Sequence, residues 1–421
     1  MSEWRRGTLG EICKEGGGFI RTGPFGSQLH QSDYVTDPAG IPVVMPKDMN
    51  GGRIDRFSIA RIDRKTADRL SQHLLGPGDI VLSRRGDVGR TAWVSSEDLP
   101  VLCGTGSMRI KLGDGPVDRN YFRYFMRSRS AIDYLEGQAV GATMPNLNAS
   151  IVAGLPLTIL PRAQQERAAY ILGCLDDLIE NNRRRIDLLE RMAQAIYREW
   201  LVRFRCAGHE DVALVDCPLG PIPKGWTVRP LVEVASLIMG QSPRSEHYNS
   251  AGVGKPFHQG VADFGRHFPI HRMYCSVDGR SASEGDVLLS VRAPVGRVNL
   301  AFDDITIGRG LAAVRSLTGR QAVLYRAMKD VVFAVEDAMG GGTIFKAIGK
   351  KELEQVPVLV APDEIESVAE GLLAENLAML RSLTFQSRTL GAIRDLLLPK
   401  LVTGQIDVSH LDLDALVESV A

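Results

Sequence analysis

Gly78-Asp79-Ile80-Val81-Leu82-Ser83-Arg84-Arg85-Gly86-Asp87-Val88-Gly89-Arg90 recurs as Gly285-Asp286-Val287-Leu288-Leu289-Ser290-Val291-Arg292-Ala293-Pro294-Val295-Gly296-Arg297. Eight of the thirteen positions are identical at a constant offset of 207 (285 − 78), and two more exchange one aliphatic side chain for another. Downstream, Cys103-Gly104-Thr105-Gly106-Ser107 faces Ile307-Gly308-Arg309-Gly310-Leu311 at an offset of 204. Ala142-Thr143-Met144 then faces Gly342-Thr343-Ile344, and Leu155-Pro156-Leu157 faces Val356-Pro357-Val358. Matches in the same order with a slowly drifting offset mark two copies of one unit with small loop insertions. In each copy a Gly-Asp turn followed by three apolar residues predicts a short buried strand. Arg109-Ile110-Lys111-Leu112 alternates like a half-buried strand, and Tyr121–Arg127 reads as a helix with one aromatic and one basic face. Each copy is expected to be a mixed α/β (α+β) globule.

A long helical pattern follows each globule. After Pro161, apolar residues fall at Leu172, Leu175, Ile179, Ile186, Leu189, Ala193, Ile196 and Trp200, with Asn182 in the remaining slot. After Pro362 the slots are Ile365, Ala369, Leu372, Asn376, Met379, Leu383, Gln386, Leu390, Ile393 and Leu397. A 3.5-residue period over several heptads predicts coiled coil. The alternative, an amphipathic helix packed on its own domain, rarely exceeds ~25 residues without a cap. At ~1.5 Å per residue each helix would run roughly 60 Å. Asn182 and Asn376 either set register at some cost in stability or face solvent at the seam edge.

Cys217-Pro218-Leu219-Gly220-Pro221-Ile222-Pro223-Lys224-Gly225-Trp226 cannot continue a helix and reads as a connector. The expected plan is a globule over 1–161, a long helix over 162–204, a linker over 205–225, a second globule over 226–362, a second long helix over 363–404 and an acidic tail over 405–421. That tail holds Asp407, Asp412, Asp414 and Glu418 and no Lys or Arg.

Of 421 residues, 50 are Lys or Arg and 50 are Asp or Glu, which excludes a uniformly basic coat but not a local basic surface. The six cysteines are scattered without a C-x-x-C pair, against a disulfide framework or a zinc module. No apolar run approaches the ~18 residues of a membrane span, and no apolar segment follows the basic N-terminus. A cytoplasmic protein with no membrane partner is expected.

Catalytic signatures are missing. The chain has no G-x-x-x-x-G-K-[ST], no H-E-x-x-H and no G-x-S-x-G. Gly104-Thr105-Gly106 and Gly308-Arg309-Gly310 are too short for a dinucleotide fingerprint. Their matched occurrence favours turns in which Gly takes positive φ. His267, His271 and Cys275 are spaced by four, but Pro269 breaks the helix that would align them on a metal. No metal site, no cofactor and no catalytic residue are expected.

Polar and basic residues on Gly-punctuated loops recur instead. Residues 83–129 carry nine Lys+Arg against five acids. Arg85 and Arg90 repeat as Arg292 and Arg297 just after a strand, where a loop can offer them to phosphates or to guanine N7 and O6. The competing reading makes them solvated charges or partners of Asp79 and Asp87. Recurrence in both copies favours DNA contact. The candidate DNA-binding residues are Arg84, Arg85, Arg90, Thr105, Ser107, Arg109, Thr143, Asn146 and Asn148 in the first copy. In the second they are Arg292, Arg297, Arg309, Thr343 and Lys346. Asn can pair bidentately with adenine and is equally a common turn residue.

Through these segments the whole chain resembles the DNA-specificity (S) subunit of type I restriction–modification systems. The resemblance is carried by 78–86 and 285–292, by Ala142-Thr143-Met144-Pro145-Asn146-Leu147-Asn148 leading to Leu155-Pro156-Leu157, and by Pro161–Arg167 opening Ile171–Asn182. Leu219–Trp226 is similar to the family's entry into its second half, and Leu397–Ile406 to its ending. The resemblance implies two similar target-recognition domains separated by two long antiparallel coiled-coil helices, a pseudo-two-fold internal repeat. Each domain would read one half of a split site in double-stranded DNA. The helices would set the spacer and dock two adenine-N6 methyltransferase (M) subunits, with restriction (R) subunits joining. It implies a non-catalytic chain, with SAM, ATP and Mg belonging to the partner subunits. The second helix opens with Asp363-Glu364-Ile365-Glu366 where the first has Gln164-Gln165-Glu166, so the two docking surfaces are expected to be unequal.

Overall fold

The computed structural model describes residues 4–141, 145–206, 212–217, 220–338 and 347–411. The chain forms two compact units, one of residues 1–181 and 387–421, the other of residues 182–386. The boundaries fall inside both long helices, so each unit is a globule with a half of each helix.

In the first unit, strands Gly17–Thr22, Ser107–Gly113, Ile80–Ser83 and Thr91–Trp93 form an antiparallel sheet in that spatial order. The second unit repeats the order with Ala235–Met239, Leu311–Ser316, Val287–Ser290 and Val298–Leu300. Each unit adds a parallel pair, Ile41–Val44 with Leu102–Cys103 and Lys255–His258 with Ile305–Ile307. A first strand pairs with a last one, Arg5–Thr8 with Pro156–Ile159 and Thr227–Pro230 with Pro357–Val360.

The duplicated strands are continuous apolar runs because both faces are covered. Ile80 and Leu82 pack with Tyr121 and Phe122, while Val81 points the other way into a cluster with Val44 and Val94. Val287 and Leu289 pack with Leu324 and Tyr325, and Leu288 with Ile305 and Ile307. Helix Arg119–Phe125 starts at the Asp118 cap and buries Tyr121, Phe122, Tyr124 and Phe125. The basic side expected of it is bound into the protein. Arg123 Nη2 donates to the Tyr124 hydroxyl at 2.7 Å, and Arg127 Nη1 to Asp176 at 3.0 Å.

The long helices run over Arg162–Tyr197, continued by a wider π turn over Arg198–Val202, and over Asp363–Val402. They are antiparallel in each unit. In the first, Gln164 Nε2 reaches the Ile406 carbonyl and Arg394 Nη1 donates to Asp176 at 2.9 Å. In the second, Asn376 Nδ2 donates to the Leu189 carbonyl at 3.1 Å, and Ala193 clusters with Leu373. Asn376 therefore bonds the facing helix, and Asn182 is buried rather than at a solvent edge.

On the first helix Leu172, Ile186 and Ala193 are buried, and Leu175, Ile179, Leu189 and Ile196 half-buried. On the second, the expected register needs correction. Leu372, Met379 and Ile393 are 41%, 48% and 41% exposed. The expected slots Ile365, Ala369 and Leu383 are buried, and Leu390 and Leu397 half-buried, but Leu373 and Leu380 take the inward positions expected of Leu372 and Met379. Steps of four at 365, 369 and 373 follow the 3.6-residue turn of a straight helix rather than a strict heptad. The adjacent pairs Leu372-Leu373 and Met379-Leu380 fit either phase in sequence, and packing selects the second member.

Two further expectations change. The stretch read as linker contains a hairpin, Leu214–Cys217 against Gly220–Pro223, and Ile222 is buried with Trp226. Part of the acidic tail is packed, with Val408 in the first unit's core and the Leu411 carbonyl accepting from Arg167 Nε at 2.9 Å. Asp412, Asp414 and Glu418 lie outside the described residues. Among the described residues, no helix is long and apolar enough to cross a membrane, and no cluster of His, Cys, Asp or Glu forms a metal site.

Candidate nucleic-acid interface

The candidate site begins at the Gly-Asp turn. Gly78 and Gly285 have φ of +84° and +86°, a region that strains any residue with a Cβ. The following carboxylate closes the turn, Asp79 accepting from the Gly76 amide at 2.6 Å and Asp286 from the Ser283 amide at 2.8 Å. Each carboxylate then pairs with an arginine of the neighbouring strand, Arg109 at 2.7 Å and Arg315 at 2.6 Å. Arg109 also donates to the Leu74 carbonyl and lies over the Phe19 ring. It is a structural arginine, and its place among the DNA candidates is withdrawn.

The strand delivers a loop that is tied at its base. Ser83 N donates to the Arg90 carbonyl at 2.8 Å, and Ser290 N to the Arg297 carbonyl at 2.9 Å. A second loop pins it, through Arg84 N to the Gly106 carbonyl and Val291 N to the Gly310 carbonyl. A third segment completes it, through Leu147 N to the Arg84 carbonyl and Ile348 N to the Val291 carbonyl. Three segments separated in sequence thus meet in each unit, and backbone bonds hold them.

On this frame Arg85, Arg90, Arg292, Arg297 and Arg309 are exposed and Thr105 is half-buried. Arg90 pairs with Asp87, and both side chains remain about half exposed. Arg85, Arg292, Arg297 and Arg309 form no ion pair among the described residues. Arg84 differs from its neighbour. Its buried guanidinium lies 3.3 Å from Asn146 Oδ1 and over the Phe25 ring. Burial, and then the adjacent Arg85 charge, pull it below the ordinary arginine value. Val291 stands at the equivalent position, so this polar latch belongs to the first unit alone.

Other candidates are occupied by the fold. Ser107 is fully buried and donates to the Val44 carbonyl at 3.0 Å. Asn148 caps a short helix, accepting from the Ile151 amide at 2.8 Å. The Asn146 amide oxygen is taken up by Arg84. Thr143, Thr343 and Lys346 lie outside the described residues.

Sequence reading passed over Phe25, Met45, Ser242 and Gln259, which flank the same loops. Gly23 N donates to the Ser107 carbonyl and Gly240 N to the Leu311 carbonyl, placing Phe25 and Ser242 at matched positions two residues on. Gly104 N donates to the Val44 carbonyl and Gly308 N to the His258 carbonyl, which matches Met45 with Gln259. The available signal was the pair of glycines, Gly23 and Gly240, at the ends of matched strands.

Comparison with known proteins bears on this surface. Residues 1–191 match the model of the type I restriction modification DNA specificity domain. Two Methanocaldococcus jannaschii proteins named as type I restriction enzyme specificity subunits are similar. MjaX is 27% identical over 80% of this chain and 81% of its own length, and MjaIX 25% over 88% of each. The crystal structure of the type I restriction–modification S subunit from M. genitalium shares the fold, with a TM-score of 0.62 at 16% identity over 95% of this chain and 96% of that one. Residues 1–191 thus match the type I restriction modification DNA specificity domain, and the chain, a twice-built scaffold of pinned arginine loops, is similar over 80–88% of its length to type I restriction enzyme specificity subunits.

Proposed function

We propose that this chain is the non-catalytic, sequence-specific DNA reader of a type I restriction–modification complex, with each unit contacting one half of a bipartite duplex site. The observation that carries the reading is the recurrence of exposed arginines on loops built the same way twice. Backbone ties fix the loops, so little ordering cost falls on binding, and unpaired guanidinium groups suit phosphates or guanine edges. Unlike side chains on like scaffolds let the two half-sites differ in sequence.

The chemistry of modification and cleavage is assigned to partners, two adenine-N6 methyltransferase subunits and restriction subunits, which would bring SAM, ATP and Mg. The paired helices would dock the methyltransferases and set the length of the unread spacer. The place of action is the cytoplasm, where the DNA is. Domain exchange tests the reading. Replacing residues 1–161 with the first domain of another family member should change one half of the methylated site and leave the other half intact. Methyl transfer from SAM to DNA by this chain alone would overturn it.

A further inference from the structure

Arg84 is only 8% exposed, yet no carboxylate of the described residues pairs with its guanidinium. Its partners are neutral. Nε and Nη2 share the Asn146 amide oxygen at 3.4 and 3.3 Å, and the Phe25 ring lies 5.7 Å from the guanidinium carbon. A π face and a long, shared hydrogen bond stabilise a cation without cancelling its charge. The exposed Arg85 stands next to it and adds a second positive charge. Burial first and Arg85 second lower the Arg84 pKa, and no carboxylate acts against them. Arg109 of the same segment shows the usual arrangement, its buried charge meeting Asp79 at 2.7 Å. A buried charge without a counter-charge is costly in free energy, so Arg84 lacks an anion.

The frame around Arg84 is rigid. Leu147 N donates to the Arg84 carbonyl at 2.8 Å, Gly86 N donates to the Pro145 carbonyl at 3.1 Å, and Arg85 faces Asn146 across a backbone bridge. Nη1 donates to no described residue and is not sealed inside the protein, so the charge is approached through that nitrogen. In the second unit the same frame carries Val291, 2% exposed, and Ala347 at the places of Arg84 and Asn146. We propose that Arg84, with Arg85 beside it, is an anion site that takes one backbone phosphate of the duplex, a grip built into the first unit alone. A phosphate oxygen on Nη1 supplies the missing negative charge through a charge-assisted hydrogen bond. A base edge fits less well, because Nε and Nη2 are turned to Asn146 and a buried side chain cannot extend into a groove. The contact fixes the register of the first unit on DNA and carries no sequence information. This inference rests on the DNA-reading function proposed above.

The test is fluorescence anisotropy of the full-length chain with two labelled duplexes of unrelated sequence, over a series of salt concentrations. Arg84→Gln keeps a polar group toward Asn146 and loses the charge. It should weaken binding to both duplexes alike, about tenfold, and make the slope of log affinity against log salt shallower by about 0.9. Arg84→Val, which copies the second unit, should do the same. Arg84→Lys keeps the charge and loses the planar fork that reaches Asn146, and should retain the wild-type slope. A mere latch between the two loops predicts the reverse order, with lysine as damaging as glutamine, and that result would overturn the inference. So would an unchanged slope in Arg84→Gln, or a variant that alters which duplex is preferred, since a phosphate contact is blind to sequence. In each of these cases the DNA-reading function stands. A wild-type chain that binds neither duplex would overturn both.

Discussion

Asp79 and Arg109 form a buried ion pair at 2.7 Å, the carboxylate 3% and the guanidinium 13% exposed, and the same pair recurs as Asp286 and Arg315 with the arginine 49% exposed. Removing the carboxylate strands a buried cation in the first unit and a half-solvated one in the second. Asp79→Ala should cost about 3–5 kcal/mol and Asp286→Ala clearly less, because an unpaired charge is expensive in proportion to its burial. Urea unfolding followed by Trp fluorescence checks the ordering, and equal losses would contradict it.

The phase of the second long helix is open to a paired test. Leu373→Ala removes a side chain that is 2% exposed and should cost about 2–4 kcal/mol. Its neighbour Leu372 is 41% exposed, and Leu372→Ala should cost under about 1 kcal/mol. Thermal melts of the two variants distinguish this register from the strict heptad, which demands the reverse.

Acid should weaken the second unit. His258 is pushed down to about 4 by burial and then by the neighbouring His271, with Asp263 also near it. His267, beside Glu190, Lys329 and Tyr325, is pushed down to about 4 chiefly by burial and then by Lys329. Both are neutral when folded, so their stabilising effect is complete above the unfolded value of about 6.5 and is lost as pH falls from there toward 4. Glu190 is held at about 2, where burial is outweighed by Lys329, His267 and Arg266, and its contribution fades only below about 4.5. Melting temperature should fall between about pH 6.5 and pH 4, and His258→Gln with His267→Gln should flatten that interval.

The exposed arginines should show themselves in salt dependence. Arg85→Ala with Arg292→Ala should weaken binding to any duplex. For each phosphate contact removed, the slope of log affinity against log salt should become shallower by about 0.9. Fluorescence anisotropy at several salt concentrations gives both quantities, and an unchanged slope would remove these residues from the phosphate contacts.

Much of the architecture could be read in one dimension. Two stretches with eight shared residues in thirteen do fold alike, as the third strand of matching sheets, and the Pro-opened helical patterns are the long helices. The candidate surface was less legible. Arg84, Arg85 and Arg109 are identical letters in one basic segment, yet one is latched to Asn146, one is exposed and one is locked to Asp79. Gln259 and Ser242 stand apart in sequence and mean nothing until two loops cross.

By itself, the order of residues determined the duplication, the strand and turn at each Gly-Asp, and the two long helices, because these depend on local sterics and on spacing along the chain. Tertiary structure alone decided which arginines remain free, which of two adjacent leucines turns inward, and which polar groups meet at the loops. Those outcomes depend on partners distant in sequence, whose burial and hydrogen bonds exist only once the chain has closed on itself.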